Sequence, residues 1–105
     1  MVFLDTTTRS VEFVLSAIVT TNQLPFVSNY ADLNSSFSVS DVESNNGVSN
    51  NTTAVTLVAA PGASTFRQVK NITINNADTT NKTVIVRYND NGTTRVIVRI
   101  TLEPD

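Results

Sequence analysis

The 105-residue chain contains no cysteine, no histidine and no tryptophan. Without cysteine it can form no disulfide, zinc–thiolate site or thiol nucleophile. Without histidine it lacks the commonest general base and metal ligand, so nothing activates its many serine and threonine hydroxyls. These absences predict a protein that is not an enzyme and that needs no cofactor or metal.

Charged residues are scarce as well, at 15% of the chain, against about a quarter in an average globular protein. The formal net charge of -2 argues against long-range attraction to phosphates, and no row of aromatic side chains accompanies the arginines. No stretch approaches the roughly 20 consecutive apolar residues of a membrane span. We therefore expect neither nucleic acid nor a membrane as a partner.

Threonine, asparagine and serine are abundant instead, and these residue types favour strands and turns. Short apolar segments alternate with turn sequences at spacings of about 8 to 12 residues, as in β-sandwiches and jelly rolls. The first segment, 6–19, also fits helical spacing, but its β-branched residues favour a strand. The sequence predicts one all-β domain over residues 1–105, a small antiparallel β-sandwich or jelly roll with an extended N-terminal segment. The predicted extended segments are 6–19, 24–33, 36–42, 52–60, 65–75 and 83–101.

Two segments fit this pattern poorly. Residues 1–8 are predicted to form an N-terminal arm, and residues 34–51, rich in serine and asparagine, a long polar loop. Asp41 and Glu43 lie within that loop. We expect these two carboxylates to be solvated rather than to act as an acid–base pair or a metal clamp.

The most informative segment is the predicted hairpin, 83–101. Asn91-Gly92 is the usual signature of a two-residue type I′ turn. A three-residue loop, 90–92, would instead gather the apolar side chains on one face, and a slip of one residue would turn them toward water. We therefore predict the three-residue loop. The predicted core face consists of Val84, Val86, Tyr88, Val96 and Val98.

The opposite face of the predicted hairpin places two isoleucines among three arginines. Like charges that face each other across strands destabilise a sheet. This surface is therefore either solvated, with arginine stems lying over the isoleucines, or a contact surface that receives carboxylates from a partner. Arginine is enriched at protein interfaces, which favours contact. The candidate protein-contact residues are Arg87, Arg95, Arg99, Ile85 and Ile97.

Several blocks of the sequence resemble parts of known proteins. The blocks are 8–15, 19–26, 51–61, 67–69, 76–79 and 86–95. Together they resemble small virion proteins of tailed bacteriophages. The resemblance implies a β-sandwich or jelly-roll protein that is built into the particle in repeated copies, with major capsid or tail proteins as partners.

The predicted function is that of a virion structural protein, foremost a capsid decoration or cement protein. It would be incorporated in the host cytoplasm, form a homo-oligomer and act through many weak contacts. A tail- or fibre-associated adaptor is the alternative within the same class. A carbohydrate-binding adhesin module, contacting the host surface through residues 34–51 and Tyr30, is the alternative from a different class.

Overall fold

The computed structural model describes residues 2–105, which form two packed antiparallel sheets of four strands with no helix among them. The first sheet has the strand order β1-β6-β3-β4 and the second β5-β2-β7-β8. No helix able to cross a membrane occurs in these residues. The predicted all-β antiparallel sandwich is confirmed. The strands are β1 (Val2–Leu4), β2 (Arg9–Leu15), β3 (Pro25–Leu33), β4 (Val39–Val48), β5 (Val55–Val58), β6 (Phe66–Ile74), β7 (Lys82–Asp90) and β8 (Thr93–Leu102).

The core lies between the sheets because the inward-facing positions of the central strands are apolar. Phe13 of β2 is fully buried and meets Phe26 of β3 edge to face, with ring centroids 5.4 Å apart and planes at 72°. Aromatic pairs favour this arrangement, and here it joins the two sheets. The other fully buried apolar side chains are Leu4, Val11, Leu15, Leu24, Leu57, Val58 and Val84.

Residues 2–4 form a strand rather than a free arm. Val2 and Leu4 pair with residues of β6, and the Leu4 side chain is fully buried. An apolar triplet gains free energy by leaving water, so it joins the sheet. The predicted arm over residues 1–8 is therefore wrong for residues 2–4, and Met1 lies outside the described residues.

The segment predicted as a long polar loop, 34–51, contains the ten-residue strand β4. β4 pairs along the whole of β3, with Val48 opposite Pro25 at one end. Nearly all of its residues are exposed. Its polar sequence therefore reflects an edge strand with little burial on either face. The loop prediction is wrong for this strand, and the predicted extended segment 36–42 is confirmed only over residues 39–42. A short turn that begins at Asn34 connects β3 to the strand.

The hairpin of β7 and β8 turns through two residues, so the predicted three-residue loop is wrong. Asp90 pairs with Thr93. Between them Asn91 and Gly92 both have positive φ, 51° and 95°. Positive φ at both central positions is the type I′ geometry that Asn-Gly favours, because its twist matches that of the flanking strands.

A β-bulge at Ile97 restores the apolar face that a tight turn with a regular ladder would have lost. Arg87 pairs with Val96, but Val86 pairs with Val98, so β8 carries one additional residue between these two pairs. An extra residue on one strand shifts all later pairs by one. The side chains of β8 that follow Ile97 therefore alternate in step with those of β7, and Val98 points to the same face as Val86. The apolar pattern and the turn signature are therefore both satisfied.

The predicted core face is only partly right. Val84 and Val86 are buried, and half-buried Tyr88 packs against the core. Val96 and Val98, by contrast, are 54% and 43% exposed. Val96 lies opposite Arg87 and so is on the outer face, whereas Val98 lies opposite Val86 on the inner face but at a sheet edge that no further strand among residues 2–105 covers.

Candidate interaction surface

The sandwich is open along β8. An apolar cavity of about 310 Å³ lies between the sheets, and all the side chains that line it are valine, isoleucine or leucine. β8 contributes Ile97, Val98, Ile100 and Leu102 to its wall. The first three of these remain roughly half exposed. Contiguous exposed apolar surface of this kind is typical of binding sites in soluble domains.

The structure does not bring the five predicted contact residues onto one face. Arg87 and Ile85 lie on the outer face of the second sheet, and Arg99 lies opposite Ile85. Arg95 lies opposite the tyrosine of β7 that packs on the core, and Ile97 lines the cavity, so these two are on the inner side. The prediction of a shared face is wrong because it assumed a ladder without a bulge.

Arg87 is engaged within its own sheet. Its guanidinium donates from Nε and Nη2 to Oε2 of Glu12 on the neighbouring strand β2. Asn89 donates from Nδ2 to the other carboxylate oxygen at 2.6 Å. Glu12 is buried, and a buried carboxylate needs such partners to offset the loss of hydration. The carboxylate that we expected from a partner is thus supplied by this chain.

Replacing Arg87 with serine should lower the free energy of unfolding by about 1–3 kcal/mol, because Glu12 would stay buried without its charge partner. Urea unfolding followed by circular dichroism measures the loss. Arg99→Ser is the matched control and should cost less than about 0.5 kcal/mol. Equal losses in the two variants would contradict a stabilising role for the Arg87–Glu12 pair.

The two arginines of β8, unlike Arg87, have no acidic partner within the described chain. Neither Arg95 nor Arg99 has a carboxylate within 4.0 Å among residues 2–105. Of the other three edge strands, β1, β4 and β5, only β4 carries charged side chains. These are Asp41 and Glu43, both exposed, and no lysine or arginine of the described chain lies within that distance of either. The two charged edges, β4 and β8, therefore carry charge of opposite sign without an ion-pair partner.

Tyr30, a contact residue of the alternative carbohydrate-binding function, is packed rather than free. Its side chain is only 9% exposed, and the guanidinium of Arg67 lies 4.4 Å from its ring centroid. Burial raises the pKa of Tyr30, and so does the 2.8 Å hydrogen bond that its hydroxyl donates to Glu43. Arg67 is itself fixed by two hydrogen bonds to Asp32, of 2.8 and 3.0 Å, which raise the pKa of Arg67. A sugar ring would have to displace this network.

No cluster of three or more acidic side chains suited to a metal ion occurs in residues 2–105.

No family model matches the chain, and comparisons with curated proteins and with solved structures find no match. The resemblance to virion proteins therefore stays a prediction, and the function has to be argued from the surface.

Proposed function

We propose that this protein is a structural subunit of a bacteriophage virion, of the capsid-decorating kind, that binds its neighbours through open strand edges. The observation that supports this most is the aliphatic cavity bordered by the exposed strand β8. A long apolar edge is an aggregation hazard in an isolated domain and is normally covered. The sequence blocks that resemble virion proteins support the particle as the place where this happens.

β8 can be recognised through both its main chain and its side chains. It is the last strand of its sheet, so one row of its N–H and C=O groups has no partner strand among residues 2–105. A strand from a neighbour can add there by β-augmentation, with its alternate side chains entering the cavity. The contact would then bury the exposed parts of Ile97, Val98 and Ile100.

One such contact is weak. Completing the burial of three half-exposed aliphatic side chains stabilises by roughly 2–4 kcal/mol, from which the entropy cost of association must be subtracted. A single copy would therefore bind and dissociate readily. Many identical contacts on a symmetric particle add through multivalency, which is how a small domain without a catalytic site can hold a shell together.

Replacing Val98 with aspartate should reduce incorporation into particles by about tenfold or more, because a charge would enter the apolar contact. The copy number per purified particle is measured by immunoblot and by gold labelling. Ile18→Asp is the matched control, since Ile18 is exposed outside β4 and β8. It should leave incorporation unchanged.

Circular dichroism establishes that both variants are folded before assembly is scored. If Val98→Asp fails to fold, Val98→Thr provides a milder change that keeps the shape and strand preference of valine. Normal incorporation of a folded Val98 variant would overturn the role given to this edge. A wild-type chain absent from particles would overturn the structural function itself.

A further inference from the structure

We propose that β4 of one copy pairs with β8 of the next, so that the protein assembles head to tail with itself. This inference rests on the proposed structural function and names one partner, a second copy of the chain. It is carried by the charge, the apolar side chains and the position of the two edge strands.

The strands β4 and β8 lie at diagonally opposite edges of the sandwich, in different sheets. β4 is the last strand of the first sheet and β8 the last strand of the second, and both are ten residues long. β5 packs against β3 and β4, whereas the cavity places β8 across from β1 and β6. The two edges cannot meet within one chain, but they can meet between copies.

The charges of the two edges are complementary. Seven residues of the chain are lysine or arginine, and only three of them, Lys70, Arg95 and Arg99, lack a carboxylate within 4.0 Å in the described structure. Two of these three lie on β8. On β4 the unmatched side chains are Asp41 and Glu43. A contact between the strands can give Arg95 the carboxylate partner that it lacks within the chain, whereas Arg99 lies on the outer face, away from Asp41 and Glu43.

The faces of the two strands also correspond. Glu43 lies opposite Tyr30, and Arg95 lies opposite Tyr88, and both tyrosines pack in or against the core. Glu43 and Arg95 therefore point toward the inner face of their sheets, whereas Arg99, opposite Ile85, points outward. A continuous sheet formed across two copies would bring Glu43 and Arg95 to the same side.

Each strand carries one exposed valine that can be set beside the other. Val42 on β4 is 71% exposed and alternates with Asp41 and Glu43, while Val96 on β8 follows Arg95. Setting Val96 beside Val42 places Arg95 beside Glu43 if the strands are antiparallel, and beside Asp41 if they are parallel. In both directions an apolar pair forms on one face and a single ion pair on the other, and the second carboxylate of β4 lies beside Ile97 at the rim of the cavity.

Pairing of like edges is unfavourable by the same reasoning. Two β4 strands would bring four carboxylates onto one face. Two β8 strands would place the two Arg95 side chains on one face and the two Arg99 side chains on the other. Like charges across strands destabilise. The head-to-tail contact leaves one edge of each kind free on every dimer. Further copies can add at both ends, so the product is a ring or a filament.

Complementary charge reversal tests the pairing. One variant carries Arg95→Glu, and the other carries Asp41→Lys with Glu43→Lys. Sedimentation velocity at low salt should show self-association of the wild type that increases with concentration and weakens with added salt. Each variant alone should associate at least about tenfold more weakly. An equimolar mixture should recover wild-type association, because every contact between unlike variants again pairs opposite charges.

Matched controls separate the edge contact from net charge. Lys70→Glu makes the same charge change as Arg95→Glu on an exposed residue of β6, and Glu103→Lys with Asp105→Lys matches the β4 variant. Both controls should associate as the wild type does. If a reversal variant fails to fold, Arg95→Gln and the amide forms of Asp41 and Glu43 should weaken association without reversing it.

Two results would overturn the pairing: a wild-type chain that stays monomeric at every concentration, or a mixture of variants that does not recover association. Particle incorporation is scored separately. The chain could stay monomeric and still be incorporated normally, both as wild type and with Arg95→Glu. That result would overturn the pairing between copies but would not contradict the structural function. A chain that self-associates but is absent from particles would overturn the structural function and would not contradict the pairing.

Discussion

Replacing Asp78 with asparagine is expected to destabilise the domain strongly, with a clear fall in the melting temperature. The Asp78 side chain has no exposed surface. Oδ2 accepts the N–H of Thr20 at 2.8 Å, and Oδ1 accepts those of Thr21 and Asn22 at 2.7 and 3.1 Å. The carboxylate thus ties the segment after β2 to the turn before β7. An asparagine has only one acceptor oxygen, and its amide N–H groups would face the N–H donors.

The pH dependence of stability should identify the same carboxylate. Burial alone would raise the pKa of Asp78, but the backbone N–H groups of Thr20, Thr21, Asn22 and Thr79 outweigh it and hold the pKa well below its usual range. Because the folded-state pKa is depressed, this stability is present above the unfolded-state pKa of about 3.9. It is lost as the pH falls toward the folded-state value.

Urea unfolding at a series of pH values checks both expectations for Asp78→Asn. The wild type should lose stability as the pH falls below about 4, and the variant should show a flatter dependence in that range. Asp41→Asn, which changes an exposed carboxylate, should follow the wild-type curve. Parallel curves for wild type and Asp78→Asn would show that Asp78 is not the linked group.

Replacing Phe13 with alanine should lower the free energy of unfolding by about 3–5 kcal/mol. Phe13 is fully buried between the sheets, and its ring contacts Phe26 of the opposite sheet. The substitution removes this contact and leaves a cavity that β2, paired on both sides, cannot close by moving. A domain of this size has a total stability of roughly 5–15 kcal/mol, so the variant would be close to unfolding.

Phe3→Ala is the matched control, because Phe3 is half exposed on the edge strand β1. It should cost less than about 1 kcal/mol. Both losses are measured by urea unfolding with circular dichroism. Similar losses at the two positions would contradict a core centred on the contact between β2 and β3.

The fold class could be predicted because the buried strands keep the required alternation. In β7, Val84 and Val86 alternate with Ile85 and Arg87, and the structure buries the two valines as expected. The predicted extended segment 36–42 covered only the start of β4, because an edge strand with little burial needs no alternation of apolar and polar residues. The exposed valines of β4 were a weak signal among serines and asparagines.

The hairpin register failed for a different reason. The dipeptide Asn91-Gly92 indicated the correct turn, but a regular ladder from that turn would have put apolar side chains on both faces. The bulge at Ile97 removes the conflict, and no residue type in β8 marks a bulge in advance. The partner of Arg87 was equally hidden, because Glu12 lies 75 residues away and the adjacency of β2 and β7 is a property of the folded sheet.

Hydrogen–deuterium exchange of the wild-type chain at low and at high concentration tests most directly whether the open edges are binding surfaces. The structure predicts that amides of β2 and β7, paired on both sides, are protected at both concentrations. In β4 and β8 the amides bonded to β3 and β7 should be protected at both concentrations, and the amides that face outward should become protected only at the high concentration, where copies pair. Exchange of these outward-facing amides that is equally fast at both concentrations would contradict the account.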